Sequence, residues 1–348
     1  MAGNKNLNSA ARAKKDKFYT QLEDIENELR HYREFFMGKT IFCNCDDPFE
    51  SNFFKYFAAK FNDLELKILI TASYADSPIA GQEINLFPDD KTACMFEVDE
   101  LRDWNGDGRE DLNDVQYAIE HGIYKKRQLT GDLKYCAGDF RSRELIDLLK
   151  VADVVVTNPP FSLFREYVKL LVDNDKKFII IGNINAVTYK EIFPLIMANK
   201  LWLGYGFPGM VGFFTSPYED FASASEHRDG MIRNSGVHWY TNIETEKRFW
   251  DIPLHKNYSP EKYPCYDNYD AIEVSKTAEI PVDYFGVMGV PITFLDKYNP
   301  DQFEIVGCTE SEGTGFSNGL WHDDSQFKQA TINGKKVYKR IFIRRKPN

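Results

Sequence analysis

Four consecutive residues, Asn158-Pro159-Pro160-Phe161, come directly after the apolar run Val151-Ala-Asp-Val-Val-Val-Thr157, and their types suit chemistry on a planar amine. A short valine-rich run predicts a buried strand, so the four residues emerge at the carboxyl edge of a sheet, where ligands of open α/β sheets bind. The amine nitrogen of adenine is a poor nucleophile because its lone pair is spread into the ring. If the Asn158 side-chain oxygen and the Pro159 carbonyl each accept one N–H, the nitrogen is held and its lone pair becomes more available. Proline fixes its own φ and restricts the residue before it, so the turn is set before substrate arrives. Phe161 then offers a stacking face for a base rotated out of a duplex. The same four residues would equally make a strand-to-loop corner whose Phe enters the core, and context has to decide.

Two other strand ends carry acids. Asp46 and Asp47 come after the run Thr40-Ile-Phe-Cys-Asn-Cys45 and precede a helix that Ser51 and Asn52 would cap. They are placed to accept hydrogen bonds from the methionine moiety of a nucleoside cofactor, or to serve only as acids at a helix entry. Asp139-Phe140 could pair with an adenine amine while the ring covers its face, or be a turn Asp beside a core Phe. Three such signals at three strand ends in chain order make coincidence a poor account.

The elements that must position these residues read as α/β. Leu22, Ile25, Leu29, Tyr32 and Phe36 recur at helical spacing over residues 21–36, and Phe53, Phe57 and Phe61 mark a second helix. Residues 66–72 and 177–182 are further buried strands, and residues 144–150 and those around Leu163, Tyr167, Leu170 and Leu171 are helices. The pattern predicts a Rossmann-like sheet with helices on both faces over residues 1–200, interrupted by an irregular acidic insertion at 73–128. After residue 200, Gly, Pro and aromatics become dense, which predicts a smaller, mixed, loop-rich domain over 201–348 with strands near 236–241 and 302–307.

Lys plus Arg number 43 against 53 Asp plus Glu, a formal charge of −10, so any contact with nucleic acid must be local. Local basic groups include Arg12, Lys14, Lys15 and Lys17, the triplet Lys125-Lys126-Arg127, Arg141 with Arg143, and the lysines and arginines of residues 335–346. A solvated face explains each alone. The six cysteines lack CxxC spacing, no apolar leader opens the chain and no run reaches the length of a membrane span. The reading is a cytoplasmic protein with reduced thiols and no membrane partner.

Taken together, the sequence resembles the adenine-specific DNA methyltransferases of the EcoRI modification type. The resemblance rests on Lys17-Phe-Tyr-Thr-Gln21, Cys43-Asn-Cys-Asp-Asp-Pro48, Ser51-Asn-Phe-Phe-Lys-Tyr-Phe57, Gly138-Asp-Phe-Arg-Ser142, Thr157-Asn-Pro-Pro-Phe-Ser-Leu-Phe-Arg-Glu166, Tyr266-Asp-Asn-Tyr-Asp-Ala-Ile272 and Gly286-Val-Met-Gly-Val-Pro-Ile-Thr-Phe294. It implies S-adenosylmethionine as methyl donor, N6 of adenine in double-stranded DNA as acceptor, and a catalytic domain followed by a target-recognition domain. It also implies that Tyr19 and Thr20 wrap the methionine end of the cofactor, and that Asp47 with Pro48 forms the first cofactor turn. By the same resemblance Asp139 and Phe140 hold the cofactor adenine, and Asn158 to Phe161 act on the target base. A strand-end acid for the cofactor ribose is expected after residues 66–72, where Leu69-Ile-Thr-Ala-Ser-Tyr74 offers none and Asp76 falls late. Arg228, Arg233, Asn234 and His238 are candidates for reading base edges. A monomer is expected, with any cognate restriction endonuclease acting without direct contact.

One motif lies outside this scheme. Asp103, Asn105, Asp107, Asp111 and Asp114 occupy positions 1, 3, 5, 9 and 12 of a loop with Gly108 at position 6, the spacing of an EF-hand or dockerin-type calcium loop. Glu110 sits where such loops are apolar. A structural Ca2+ site and a solvated acidic insertion whose Asp residues cap turns are both consistent with it. Three readings of the whole chain stand at this point: the DNA methyltransferase, a methyltransferase for another planar amine (RNA adenine, cytosine N4 or protein glutamine), and a non-catalytic DNA- or metal-binding module.

Overall fold

The apolar runs expected to be buried strands do form a parallel sheet. In the computed structural model, which describes residues 19–45, 51–73, 93–215, 230–309, 316–322 and 328–347, the strands β1 (Tyr19–Thr20), β2 (Thr40–Cys43), β3 (Ile68–Ala72), β4 (Cys94–Val98), β5 (Lys125–Gln128), β6 (Val154–Thr157) and β7 (Lys177–Asn183) come first in the chain. They are followed by β8 (Val211–Thr215), β9 (Met231–Ser235) and β10 (Val237–Thr241). The large sheet orders these as β5-β4-β3-β2-β6-β7-β10. β2 pairs parallel with both β3 and β6, and β6 pairs parallel with β7. Every residue of β2 and β6 is buried, which requires cover on both faces of the sheet and is the mark of a doubly wound α/β layer.

The helices in this part of the chain are short. α1 (Leu22–Leu29) runs through a 3-10 turn at Arg30–Tyr32 into the helical turn Arg33–Phe36, so the single helix expected over 21–36 is interrupted. α2 (Asn52–Ala59) is capped by Ser51, whose hydroxyl accepts from the amides of Phe53 at 3.1 Å and Phe54 at 3.5 Å. α3 (Leu112–Glu120) lies within the insertion, α4 (Arg143–Val151) is capped by Ser142, and α5 (Phe164–Asp173) links β6 to β7.

The insertion is less irregular than its composition implies. β4 and β5 extend the sheet antiparallel beyond β3, with Ala72 opposite Met95 and Cys94 opposite Gln128. All four residues of β5, Lys-Lys-Arg-Gln, are exposed, so no apolar alternation announces it. Its lysines blunt an open sheet edge: Lys125 pairs with Glu97 at 2.9 Å and Lys126 lies over the Phe96 ring. Residues 74–92 of the insertion lie outside the described residues.

Contacts divide the chain into two compact units, residues 1–182 with 206–243, and 183–205 with 244–348. The segment bearing β8, β9 and β10 therefore packs with the first unit, although its composition had placed it after a boundary at 200. Part of the reason is a three-stranded antiparallel sheet, β1-β8-β9, in which Tyr19 faces Thr215 and Thr20 faces Phe214. Trp239 of β10 completes the packing, stacked on Phe207 at 5.6 Å and edge-on to Phe53 at 5.9 Å.

The second unit is loop-rich, as its glycine, proline and aromatic content implies. Its four-stranded sheet orders as β11 (Ile272–Glu273), β12 (Met288–Pro291), β14 (Arg340–Arg345) and β13 (Phe303–Cys308). Tyr266, Tyr269 and Phe342 anchor one side of its core. Among the described residues of the whole chain, no helix is long and apolar enough to cross a membrane.

Candidate active site

β2 and β6 run parallel as neighbours, Ile41 opposite Val154 and Phe42 opposite Val155, so Asn44 and Asn158 leave the sheet at the same edge. Beyond Thr157 the chain turns through the two prolines into a 3-10 turn at Phe161–Leu163, closed by the Leu163 amide donating to the Pro160 carbonyl at 3.0 Å, and then enters α5. Pro159 is buried, while Asn158, Pro160 and Phe161 are half-buried. The stiff Pro159 faces the protein, and although Asn158 as a residue is half-buried, its Oδ1 is itself buried.

Thr20 comes to this turn from far away in sequence. Its hydroxyl accepts a long hydrogen bond, 3.5 Å, from Asn158 Nδ2, and its carbonyl accepts from Asn52 Nδ2 at 2.7 Å. One buried residue of β1 thus ties the start of α2 to Asn158. Tyr19, beside it, is half-buried.

Asp139-Phe140 arrives from a third side through Gly138, whose φ of 81° few other residues would adopt. Phe140 is buried edge-on against Tyr167 of α5 at 4.9 Å, and the Tyr167 hydroxyl donates to Asn44 Oδ1. The strand end of β2, the Asp139 turn and the helix after Asn158-Pro-Pro-Phe161 are therefore joined by contact. The Asp139 carboxylate is itself engaged: Oδ1 accepts from the Arg141 amide at 2.9 Å and from Arg141 Nε at 3.0 Å, and Oδ2 accepts from Arg141 Nη2 at 2.8 Å. The Asp139 carboxylate raises the Arg141 pKa above its ordinary value.

Sequence reasoning named Tyr19, Thr20, Asp139, Phe140 and Asn158 to Phe161, and the first unit holds all of them. Asp46, Asp47 and Pro48 lie outside the described residues, as do Asp76 and Arg228. Asn234 and His238, considered for base edges, are 3 % and 1 % exposed; the His238 ring packs where a Cβ on Gly206 would stand, so neither side chain is presented to DNA. The ribose acid has no candidate among the described residues after β3, where the Ser73 hydroxyl accepts from the Cys94 amide at 3.1 Å. Asn52, expected to share the helix cap with Ser51, instead donates to the Thr20 carbonyl, and the pairing of Asn44 with Tyr167 and the grip of Arg141 on Asp139 were missed. A polar residue ending an otherwise apolar strand was the available signal for Asn44.

The residues present fit a polar nucleoside cofactor. Asn44 is buried, and its Nδ2 has no hydrogen-bond partner among the described residues, a donor in need of an acceptor at the end of β2. Its Oδ1 is held by Tyr167, whose ring packs against Phe140 of the Asp139 turn.

In the insertion, one oxygen each of Asp103, Asp107 and Asp114 lie within 4.8 Å of one another. Asp103 gathers the amides of Gly106, Asp107 and Gly108 at 2.7 to 3.0 Å. Asn105 Oδ1 accepts from the Asp107 amide at 2.9 Å. Asp111 instead caps α3, accepting from the Asn113 amide at 2.8 Å, while Asp114 returns a bond to the Asp111 amide at 2.9 Å. Burial raises the Asp114 carboxyl pKa, but the amides of Asp111, Asn105 and Trp104 outweigh it and hold the group below its ordinary value.

The chain matches the family described as "Adenine-specific methyltransferase EcoRI" over residues 6–346. It is 44 % identical to the Type II methyltransferase M.EcoRI of Escherichia coli, an alignment covering 99 % of this chain and 98 % of that protein. It is also 34 % identical to M.MgeORF184P of Mycoplasma genitalium, over 97 % of this chain and 98 % of that protein, and to M.MpnI of Mycoplasma pneumoniae, over 98 % of each. No solved structure gives a significant match. With the strand-end turn, its neighbours and a full-length match in agreement, the chain belongs to the EcoRI adenine-specific methyltransferase family.

Proposed function

We propose that this chain methylates N6 of an adenine turned out of duplex DNA, with Asn158, Pro159, Pro160 and Phe161 acting on the base and Tyr19, Thr20, Asp46, Asp47, Pro48, Asp139 and Phe140 forming the cofactor pocket. The observation that carries this reading is Asn158 at the open end of a fully buried strand, bonded to Thr20 and followed by a proline-stiffened turn. Family membership implies S-adenosylmethionine as donor. When bound, it supplies a methyl group on a positively charged sulfur, transferable to a nitrogen lone pair.

The chain's own residues do the rest. Asn158 Oδ1 and the Pro159 carbonyl accept the two N–H bonds of the amine and draw its lone pair out of conjugation. Phe161 stacks on the base and excludes water from one face. Holding the amine in line with the donor supplies much of the rate, so no strong base is required. The amine becomes acidic as its bond to carbon forms, and its proton leaves by way of Asn158 Oδ1 and water. The type II names of the relatives support a restriction-modification setting.

Incubation of the protein with methyl-labelled S-adenosylmethionine and unmethylated duplex DNA, followed by digestion to nucleosides, is expected to yield N6-methyladenine. Label found as N4-methylcytosine, or only on RNA or protein, overturns the proposal.

We also propose that Asp103, Asp107 and Asp114, with the neighbouring Asn105, hold a hard divalent cation such as Ca2+ in a structural role, while Asp111, the fifth residue of the expected loop, serves as the cap of α3. Three carboxylate oxygens within reach of one ion support it. At about 100 times its Kd, a ligand of the folded state contributes about 2.7 kcal/mol. Millimolar calcium is therefore expected to raise the melting temperature and a chelator to reverse the rise; a melt that ignores both defeats the idea.

A further inference from the structure

We propose that Arg141 is a positioning residue for cofactor recognition: it holds the Asp139 carboxylate in the one orientation that accepts the 6-amine of the cofactor's adenine. The proposal rests on the reading of Asp139 as the adenine partner.

A carboxylate offers about four lone-pair positions on two oxygens. Arg141 takes three, with its amide and Nε on Oδ1 and its Nη2 on Oδ2. The parallel Nε and Nη2 contacts make a fork that fixes the plane of the carboxylate as well as its place. No other described residue donates to Oδ2, which keeps one acceptor position, directed by the fork. An adenine amine can fill it with an N–H. A 6-oxo purine presents an oxygen there, and two acceptors facing each other repel.

Arg141 is in turn held on its own faces. Its guanidinium carbon lies 4.7 Å from the Tyr135 ring centroid and 5.3 Å from that of Phe140, the ring proposed to cover the adenine. Nη1 makes a second ion pair with Glu166 of α5 at 2.9 Å. The two arms are unequal. The Asp139 side chain is 10 % exposed and that of Glu166 is 59 % exposed, so solvent weakens the second pair and leaves the first dominant. Lysine could restore the charge of Arg141 but not its fork.

The test compares S-adenosylhomocysteine with S-inosylhomocysteine, its 6-oxo analogue, as inhibitors competing with S-adenosylmethionine on the full chain. Wild type is expected to prefer the adenosyl compound by about 100-fold or more, since a buried polar group left facing the wrong partner is costly. Arg141→Gln is expected to cut that preference about tenfold and raise KM for the donor, with kcat at saturation changed by less than about threefold. Arg141→Lys keeps the charge and should lose most of the preference too; it carries the same readout if Arg141→Gln fails to fold. Asp139→Asn should lower the preference, and adding Arg141→Gln to it should change nothing more. A preference moved by Asp139→Asn but not by either Arg141 variant, or equal weakening of both inhibitors in those variants, overturns the role of Arg141 alone. A preference indifferent to Asp139→Asn overturns the Asp139 reading and this proposal with it.

Discussion

Asn158→Ala is expected to lower kcat for DNA methylation by about 10²–10³, the range seen when one preorganised polar contact to a transition state is removed. Alanine cannot accept an N–H, so the amine keeps its lone pair in the ring and stays poorly aligned. The cofactor site should survive, because Phe140, Tyr167 and Asn44 make their contacts without Asn158. Donor affinity is therefore expected within a few-fold of wild type, a split characteristic of an interaction made in the transition state. Thr20→Val is the companion variant. It removes the hydroxyl to which Asn158 Nδ2 donates, a contact that fixes which way the amide faces, and should cost less than Asn158→Ala. Single-turnover methylation with a parallel donor-binding titration checks both; an Asn158→Ala enzyme within tenfold of wild type would remove the turn from the mechanism.

In the second unit, Glu273→Ala is expected to destabilise the fold by about 3–5 kcal/mol, the cost of leaving a buried charge without its partner. Arg340 donates through Nε to Glu273 Oε2 at 3.0 Å and through Nη2 to Oε1 at 2.7 Å. The Tyr266 hydroxyl donates to Oε2, and the Ser275 hydroxyl donates to Oε1 at 3.1 Å. The two charged side chains are only 7 % and 11 % exposed, so water cannot replace what the substitution removes. Replacing both, Glu273→Met with Arg340→Met, removes the two charges together and should cost far less than Glu273→Ala. Burial, and then the charge of Glu273, raise the Tyr266 hydroxyl above its ordinary value of 10.0. A group raised on folding contributes fully below its unfolded pKa and loses that contribution only as pH climbs past it, so the Tyr266 share persists at neutral pH and fades in alkali. Urea unfolding of the single and double variants decides the matter. A Glu273→Ala loss below about 1 kcal/mol would show that water reaches Arg340 after all.

Much of the catalytic half was legible because its strands are buried on both faces. Runs such as Val154–Thr157 and Thr40–Cys43 have no polar alternation to confuse them, and the residues just beyond each fall on the ligand edge. The chain alone also carried the Asn158-Pro-Pro-Phe161 turn, the Ser51 cap and the family itself, since all three are local or collinear. β5 was invisible for the opposite reason: Lys-Lys-Arg-Gln is a strand only because β4 lies beside it. Likewise the segment after 205 joins the first unit through pairing between β1 and β8, partners almost two hundred residues apart, and composition records no such pairing. The same distinction runs through the site. The sequence by itself determined which residues could hold an amine and a nucleoside, because those are properties of side-chain type, at a strand end for Asn158 but, against expectation, in the turn before α4 for Asp139, eleven residues beyond β5. Only the tertiary structure decided that Thr20 orients Asn158, that Asn44 meets Tyr167 and that Arg141 grips Asp139, because a hydrogen bond depends on where two groups end up and not on what either one is.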